Sequence, residues 1–318
     1  MEAPRVLVVM PLYNARPYLR PAIEAVLAQT YRNFILLIIN DGSTDGSNQD
    51  AAAYQERGVL IWHQANQGPG PAMNRAIEYA AAEGIEFIAR VDADDLALPE
   101  RLEKQIALLR LHPRAAACSA NCYYIHPQSE QVIGTTTVPV SDRLIRWEIR
   151  QGLRGLIQPV CTFRTEPLRR ISGYRPHFKL AEEVDVFLRL AEGWELCNHP
   201  AYLARVRLNP TSLSMKNVRA NILYQFYALE CAQRRRRGQA EREYAAFAAA
   251  MPWPARFGVW REELLLKYWR AQMGRKGPAS LLLAALLDPR RVLARVLRKL
   301  EEHPRPADPP AVPPEGKA

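Results

Sequence analysis

The sequence predicts an α/β protein built on a doubly wound, mostly parallel β-sheet. First, each of four apolar runs is followed by a segment with helical periodicity, which is the pattern of right-handed parallel strand units. Second, polar residues cluster where each run ends, and parallel sheets bind ligands at that edge. Third, 318 residues, 48% of them hydrophobic, suffice for one large domain and an extension. The four runs are Val6 to Met10, Phe34 to Ile39, Val59 to His63 and Phe87 to Val91.

The first run predicts a strand buried on both faces, since it is rich in β-branched residues and ends at Pro11. A helix is expected next, up to Gln29. Pro17 and Pro21 suit its first turn, and apolar residues then recur at helical spacing.

Turn-forming residues follow the other three runs. The hydroxyl and carboxylate side chains in 40–47 predict a cap for a new helix after the second run. The loop 66–70 follows the third run and leads into an alanine-rich helix that ends near Ala82. After the fourth run, Pro99 predicts the start of another helix.

Residues 114–215 are less regular, and we expect them to form the wall opposite the sheet. The pattern there predicts strands at Ala115 to Tyr124 and Gln131 to Val138, and helices at Ser141 to Gln151 and about Glu182 to Ala191. Val160 to Arg164 stands out as a further segment, with no element assigned to it.

The formal net charge of +10 lies entirely in the last third of the chain. Residues 1–215 hold 23 Lys and Arg and 23 Asp and Glu, whereas residues 216–318 hold 20 and 10. We interpret 216–303 as a basic helical extension and the proline-rich 304–318 as a disordered tail. The interleaved aromatic and basic residues of 250–300 are typical of an amphipathic element at an anionic membrane, or of a subdomain packed on the main domain. No nucleic-acid partner is expected, because no recognised motif accompanies the charge.

Several classes of protein are disfavoured. No apolar run approaches the roughly 20 residues of a membrane-spanning helix. The first residues lack a basic region and a cleavage site, so we expect a cytoplasmic protein, with peripheral contact at the inner face of the membrane left open. The five cysteines contain no CxxC pair, which predicts reduced core residues. No GxGxxG follows the first run, which argues against dinucleotide binding.

The clearest chemical signal is Asp92-Ala93-Asp94-Asp95 at the end of the fourth run. Three carboxylates in four residues repel one another, so a cation or a set of hydrogen-bond donors is expected there. Mg²⁺ or Mn²⁺ fits, because such an ion takes one or two carboxylates together with phosphate oxygens and water. We interpret Asp92 and Asp94 as functional rather than as a solvated turn, and Asp95 as a helix cap.

Taken in order, these motifs resemble those of glycosyltransferase family 2, which has the GT-A fold. The resemblance implies a domain over 1–215, with a nucleotide-sugar-binding half at 1–113 and an acceptor half at 114–215. The residues that carry it are Pro11-Leu12-Tyr13-Asn14, the segment 40–47, Asn66-Gln67-Gly68, Asp92-Ala93-Asp94-Asp95, Gly173-Tyr174, the segment 182–189 and the segment 207–212.

The resemblance implies roles for five residues in donor binding. Pro11 and Tyr13 match positions beside the nucleobase, although Tyr13 is alternatively a packed strand-end tyrosine. Asp41 matches the carboxylate that reads the base edge, which favours uracil or thymine, although Asp-Gly is also a common turn. Asp92 matches the position that faces the ribose hydroxyls, and Asp94 matches the Mn²⁺ or Mg²⁺ ligand that bridges to the diphosphate.

Glu183 matches the general base of inverting members of the family. The family usually shows Glu-Asp here, whereas this chain has Glu182-Glu183, so the carboxylate is one methylene longer. The alternative is a surface glutamate that opens a helix, where the helix dipole favours it. Asp185 and Arg189, four residues apart, predict an ion pair within that helix.

A second departure from the family pattern falls at Asn209, where many members have a histidine near the metal. Asparagine is a neutral and weaker oxygen ligand. We assign no metal-binding role to His199, because a lone histidine is more often satisfied by local structure.

The leading hypothesis is an inverting glycosyltransferase. It would move a sugar from a nucleotide diphosphate sugar, with UDP favoured, to a carbohydrate or lipid-linked acceptor in cell-surface polysaccharide synthesis. One alternative is a sugar nucleotidylyltransferase, which needs a glycine-rich loop after the first strand that Pro11-Leu12-Tyr13-Asn14 does not provide. The other is a non-catalytic protein that binds a nucleotide sugar or a membrane surface.

Overall fold

The structure, a computed structural model, describes residues 4–209, 212–251, 256–264 and 289–301. All four apolar runs form strands, and the first three lead into the expected helices. The elements of this half are β1 (Val6–Leu12), α1 (Arg16–Leu27), β2 (Phe34–Asn40), α2 (Ser47–Ala52), β3 (Leu60–His63), α3 (Pro69–Ala82), β4 (Phe87–Arg90), β5 (Leu96–Ala97) and α4 (Arg101–Leu111).

The second half mixes strands and helices. The sequence pattern predicted four of its elements and marked the segment that forms β8 without assigning it to a strand, but it missed α6 and the 13-residue strand β9. The elements are β6 (Ala115–Ile125), β7 (Val132–Thr135), α5 (Asp142–Arg150), β8 (Thr162–Arg164), α6 (Thr165–Arg170), α7 (Glu182–Gly193) and β9 (Glu195–Arg207).

The strands of the described chain form one nine-stranded sheet in the order β3-β2-β1-β4-β8-β6-β9-β5, with β7 paired to β6. β1 is parallel to β2 and β4, and β2 is parallel to β3. β8 runs antiparallel to β4 and β6, whereas β6 and β9 are parallel. The predicted α/β class is therefore confirmed, with a parallel first half and a mixed second half.

Strand β1 shows why the sheet is doubly wound. Leu7 and Val9 belong to one core, and Val6 and Val8 belong to the other, because successive side chains of a strand point to opposite faces. Helices α3 and α7 cover the first core, and α1 and α4 cover the second. The carboxyl ends of the parallel strands consequently remain open for a site.

The start of α4 differs from the prediction. The helix begins at Arg101 with Glu100 as the N-cap residue, and no side chain caps it. Asp95 lies five residues upstream of this cap, so its predicted capping role is wrong. The N-cap residue of α2 is Gly46, which has no side chain to cap the helix, but the preceding Asp45 carboxylate accepts a hydrogen bond from the Ser47 backbone N–H at 2.9 Å.

The C-terminal part of the described chain is helical and packs on the main domain. Ile222, Tyr227 and Cys231 of α9 lie in the same core as α3 and α7, together with Phe247 and Val259. Its helices are α8 (Leu213–Lys216), α9 (Val218–Arg236), α10 (Tyr244–Ala249), α11 (256–264) and α12 (Pro289–Leu300).

The aromatic residues in 250–300 were expected either at a membrane surface or packed on the main domain, and the described part of this range has exposed and buried apolar residues side by side. Phe257 and Trp260 of α11 are 44% and 53% exposed, whereas the neighbouring Val259 is buried in the core. Predictions for the other aromatic residues of that range, and for the tail 304–318, fall outside the described residues.

Two further expectations concern membrane spans and cysteines. Within the described ranges, no helix combines the length and the apolar content that crossing a bilayer requires. All five cysteines are free and buried, which confirms that they are core residues.

Candidate functional site

The loop after β1 is held against the loop after β2. Asn14 adopts a left-handed conformation with φ 49°, and its side-chain oxygen accepts a hydrogen bond of 2.8 Å from the Thr44 backbone N–H. Its own N–H donates to Ser43 Oγ at 3.1 Å. The Tyr13 ring, just after β1 and two residues beyond Pro11, is 51% exposed, which argues against the packed-tyrosine alternative.

Asp41 anchors the loop that follows β3. Its Oδ1 accepts hydrogen bonds from Gln64 Nε2 at 2.8 Å and from the Gln67 backbone N–H at 2.9 Å, and its Oδ2 accepts one from Gly68 at 2.8 Å. A carboxylate offers about four lone-pair sites, so roughly one is left for a ligand. The structure thus gives Asp41 a loop-holding role, and base reading stays a prediction.

The carboxylates of the acidic segment after β4, residues 92–95, have different hydrogen-bond partners. Asp92 accepts a hydrogen bond of 2.9 Å from Arg90 Nε, and about a third of its side chain is exposed. Burial, followed by repulsion from the Asp92 carboxylate, raises the pKa of Asp94 to about 6, while Arg207 and a hydrogen bond from Asn209 act in the opposite direction. Asp94 is therefore a half-buried carboxyl whose charge is only partly compensated by the protein.

Asp95 joins this segment to the end of β9. Its Oδ1 accepts a hydrogen bond of 2.7 Å from the Arg207 backbone N–H, and the residue is buried. The Arg207 guanidinium donates to the Asp94 carbonyl at 2.8 Å and to Glu130 Oε1 at 2.6 Å, and it lies over the Tyr18 ring. Asp95 is engaged across the fold, which is the physical reason why it caps no helix.

Asn209 lies beside Asp94, as the family pattern implied for this position. Among the described residues, no group of three or more His, Cys, Asp and Glu side chains could hold a metal ion. Asp94 with the Asn209 amide nevertheless fits Mg²⁺ or Mn²⁺, because such ions need few protein oxygens when phosphate and water complete the coordination. The partly compensated charge of Asp94 fits a cation as well.

Helix α7 carries the predicted base in its first turn. Ala181 precedes it in a left-handed conformation with φ 51°, which costs about 1–2 kcal/mol for a residue with a Cβ and turns the chain abruptly into the helix. Glu182 is buried, with its Oε1 3.7 Å from Arg90 Nη1. Glu183 is half-buried at the next position.

The surroundings of the Glu183 carboxyl raise its pKa. Burial, followed by repulsion from Glu182, raises the pKa of Glu183 to about 7, while the positive charges of Arg90 and Arg154 act against the rise. A carboxylate whose pKa lies near the working pH suits a general base. Arg154 is exposed and donates to the Tyr124 hydroxyl at 2.6 Å, and its positive charge acts on Glu183.

Asp185 is engaged in ion pairs with two arginines. Arg189 forms the predicted ion pair with it at 2.7 Å, and Arg175 adds a second contact. The carboxylate is buried between two guanidinium groups, so it holds α7 in place.

Sequence reasoning assigned no role to three buried arginines at the site, although Arg207 belongs to one of the motifs. Arg90 ends β4, Arg207 ends β9, and Arg101 opens α4 and donates to the Arg90 carbonyl at 2.6 Å. Burial lowers the pKa of Arg101 to about 10. A signal existed for Arg90, since a charged residue at the end of an otherwise apolar strand is unusual.

Comparison with known protein families gives one clear match. The sequence model of Glycosyl transferase family 2 matches residues 7–171. The Bacillus subtilis (strain 168) protein EpsE, named as a glycosyltransferase, is 30% identical over 223 residues, which are 65% of this chain and 74% of EpsE. The uncharacterized glycosyltransferase YibD of Escherichia coli (strain K12) is 38% identical over 132 residues, 40% of this chain and 38% of YibD.

Two solved structures share the fold. S. aureus TarS 1-349 in complex with UDP-GlcNAc matches with a TM-score of 0.55 and 16% identity, over 82% of this chain and 80% of that one. The mannosyltransferase PcManGT from Pyrobaculum calidifontis, in complex with GDP-Man and Mn²⁺, matches with a TM-score of 0.55 and 18% identity, over 94% and 87%. These likenesses confirm the GT-A fold.

Proposed function

Because this chain belongs to glycosyltransferase family 2 and has the GT-A fold, we propose that it transfers a sugar from a nucleoside diphosphate sugar in a metal-dependent, inverting reaction. The observation that carries the proposal is the state of Asp94. Its carboxyl is half-buried beside Asp92 and hydrogen-bonded by Asn209 at the carboxyl edge of the parallel strands. That edge is where such sheets bind nucleotides, and a half-buried acidic pair there suits a cation with a diphosphate.

The donor would be held by the loops after β1, β2 and β4. The exposed Tyr13 ring, beside Pro11, offers a flat surface for a base, and the remaining acceptor site of Asp41 matches the imide N–H of uracil. Asp92, fixed by Arg90, would accept hydrogen bonds from the ribose hydroxyls. UDP is therefore the nucleotide that we propose.

Asp94 would hold Mn²⁺ or Mg²⁺, with Asn209 beside it. When bound, such an ion stabilises the negative charge that develops on the leaving diphosphate. The Mn²⁺ complex of PcManGT supports the use of a divalent metal in this fold.

Glu183 would be the general base. It would take the proton from the acceptor hydroxyl while that oxygen bonds to the anomeric carbon, and the bond from this carbon to the diphosphate breaks on the opposite side. The result is inversion at the anomeric carbon. A pKa of about 7 keeps a sizeable fraction of Glu183 ready to accept the proton at neutral pH.

The acceptor that we propose is a carbohydrate or a lipid-linked sugar, in cell-surface polysaccharide synthesis. The exposed Arg154, whose charge acts on Glu183, and the Tyr124 hydroxyl give hydrogen-bond donors for such an acceptor. The family match disfavours the nucleotidylyltransferase alternative, and a non-catalytic binder would differ from an enzyme in donor turnover.

The proposal is tested by nucleotide release. The protein is incubated with UDP-, GDP-, dTDP- and CMP-sugars, with Mn²⁺ or with EDTA, and the free nucleotide is measured. We expect UDP release in Mn²⁺ that EDTA and Asp94→Asn abolish, while Glu56→Gln, an exposed carboxylate away from the site, keeps it. If EDTA leaves the nucleotide release unchanged, the proposed metal dependence is wrong. If no donor releases its nucleotide with any added sugar acceptor, the proposed enzymatic activity is wrong.

We also propose peripheral contact with the inner face of the membrane through α11 and α12. Phe257, Trp260 and Leu264 recur at helical spacing and are exposed, and Leu293 of α12 is 49% exposed. The excess of positive charge in residues 216–318 suits an anionic surface.

Vesicle sedimentation tests this contact. We expect binding to vesicles rich in phosphatidylglycerol, none to pure phosphatidylcholine, and at least a several-fold loss in Trp260→Ser. Leu111→Ser, an exposed apolar residue at the end of α4, is the matched control. Equal binding of both variants and the wild type would contradict the proposal.

A further inference from the structure

We propose that Arg90 is a positioning residue that couples the donor half of the site to the base, by binding Asp92 and Glu182 at once. This inference rests on the proposed function, because it takes Asp92 as a donor contact and Glu183 as the base. It adds a role for a residue that the sequence motifs do not include and that the proposed mechanism uses only to fix Asp92.

The first argument is geometric. Arg90 is 5% exposed at the end of β4, and its Nε donates to Asp92 Oδ1 at 2.9 Å. Its Nη1 lies 3.7 Å from Glu182 Oε1, in the first turn of α7. One guanidinium therefore contacts the two halves of the site, which are 90 residues apart in sequence.

The backbone of Arg90 is also fixed. Its N–H donates to the Cys161 carbonyl at 2.9 Å, and its own carbonyl accepts a hydrogen bond of 2.6 Å from Arg101. Arg101 is itself buried and donates to the Cys161 and Pro159 carbonyls. The Arg90 guanidinium therefore extends from a backbone position that hydrogen bonds fix within the sheet.

The second argument is that the contact between Arg90 and Glu182 is not optimised for stability. Within the described residues, Arg90 Nη1 is buried, lies 3.7 Å from Glu182 Oε1 and lacks a hydrogen-bond partner. The charges of Arg90 and Glu182 both act on the Tyr174 hydroxyl. A buried ion pair that leaves a polar atom unsatisfied contributes little to stability, so stability alone does not account for this contact.

The third argument concerns the charge around Glu183. Arg90 from β4 and Arg154 from the segment after α5 lower its proton affinity, while Glu182 on α7 raises it, and the Cys161 thiol lies close by. Replacing Arg90 with a neutral residue would leave Arg154 to offset the repulsion from Glu182. The proton on Glu183 would then be held more tightly, and the base would become available only at higher pH.

The test compares Arg90→Gln, Arg90→Lys and the control Arg164→Lys. Arg164 lies on the neighbouring strand β8 and pairs with Glu86, away from Asp92 and Glu183. Turnover of a nucleotide sugar is measured as a function of pH, together with the donor KM and the folded fraction by circular dichroism.

We expect Arg90→Gln to shift the acidic limb of the kcat profile upward by about one pH unit or more and to raise the donor KM at least several-fold. Arg90→Lys keeps the positive charge but not the fork that reaches both carboxylates. Its acidic limb should stay near that of the wild type while kcat falls about tenfold. Arg164→Lys should resemble the wild type in both respects.

A folded Arg90→Gln with the wild-type acidic limb and donor KM would overturn the inference. If Arg90→Gln does not fold, Arg90→Lys decides the matter, and wild-type turnover in that variant would overturn it. The wild type is measured first with every donor. Lack of wild-type turnover counts against the proposed function, whereas an active wild type with unaffected Arg90 variants counts only against this inference.

Discussion

The Asp95 carboxylate accepts a hydrogen bond of 2.7 Å from the backbone N–H of Arg207, 112 residues later in the chain. This contact fixes the acidic segment after β4 against the end of β9. Asn209 lies two residues after Arg207, so the same contact helps to bring the Asn209 amide to Asp94. The geometry of the candidate metal site therefore depends on Asp95, although Asp95 itself faces the protein.

Asp95→Ala should lower the free energy of unfolding by about 1–3 kcal/mol, because the buried Arg207 N–H would lose its acceptor. Asp95→Asn keeps an acceptor oxygen and should lose less. Urea unfolding of both variants measures the difference. Equal destabilisation would mean that the carboxylate charge, rather than the hydrogen bond, is what matters.

Asp94→Asn should abolish transfer and remove the Mn²⁺-dependent part of UDP binding while the apo protein stays folded. Burial and Asp92 raise the pKa of Asp94 to about 6, so its charge opposes folding at pH 8. Removal of the charge should leave the apo melting temperature level or higher. Thermal shift with UDP, with and without Mn²⁺, checks both points, and loss of the folded state would instead assign Asp94 a structural role.

Glu183→Gln should keep donor affinity and lose about 10² to 10⁴ in turnover, because glutamine preserves the shape but takes no proton. Steady-state kinetics and UDP binding measure the two effects separately. Glu192→Gln is the matched control, since Glu192 lies on the same helix and pairs with Arg235. Glu182→Gln is not neutral, because Glu182 contacts Arg90.

Full turnover in Glu183→Gln would place the base elsewhere. A dead Glu182→Gln beside an active Glu183→Gln would mean that the assignment within the acidic pair is wrong by one residue.

The pH dependence of turnover should follow Glu183. Because the pKa of Glu183 is about 7, kcat should rise as the pH increases through 7 in the wild type, and the residual rate of Glu183→Gln should lack this step. A wild-type profile that is flat between pH 5.5 and 8 would contradict the assignment.

The raised pKa of Glu183 also predicts how the stability of the protein changes with pH. The folded protein holds this proton more tightly than the unfolded chain, whose carboxyl has its ordinary value of 4.5, so stability is lost as the pH rises from about 4.5 through 7. Glu183→Gln removes that loss and should be more stable than the wild type at pH 8, by about 1–3 kcal/mol. Urea unfolding at pH 5 and pH 8 measures it, and a smaller gain at pH 8 than at pH 5 would oppose the predicted sign.

The sequence predicted β1 to β4 and the polar residues at their ends, because buried parallel strands need unbroken apolar runs and the carboxyl edge of a sheet is reached only by the loops after them. It missed β9, whose polar Asn198 and whose Pro200 interrupt any strand pattern. Those residues are tolerated because β6, about 80 residues earlier, pairs with the strand and Asn198 bonds to the Pro139 and Gly155 carbonyls.

The sequence by itself thus determined the fold class, the family motifs and the acidic residues from which the site is built, since all of these are local patterns. Only the tertiary structure decided what each charged group does. It turned Asp95 from a helix cap into the acceptor of the Arg207 amide, and it brought Arg90 between Asp92 and Glu182. Charge interactions and pKa values depend on burial and on distances between residues far apart in the chain, and no local pattern in a single sequence specifies either.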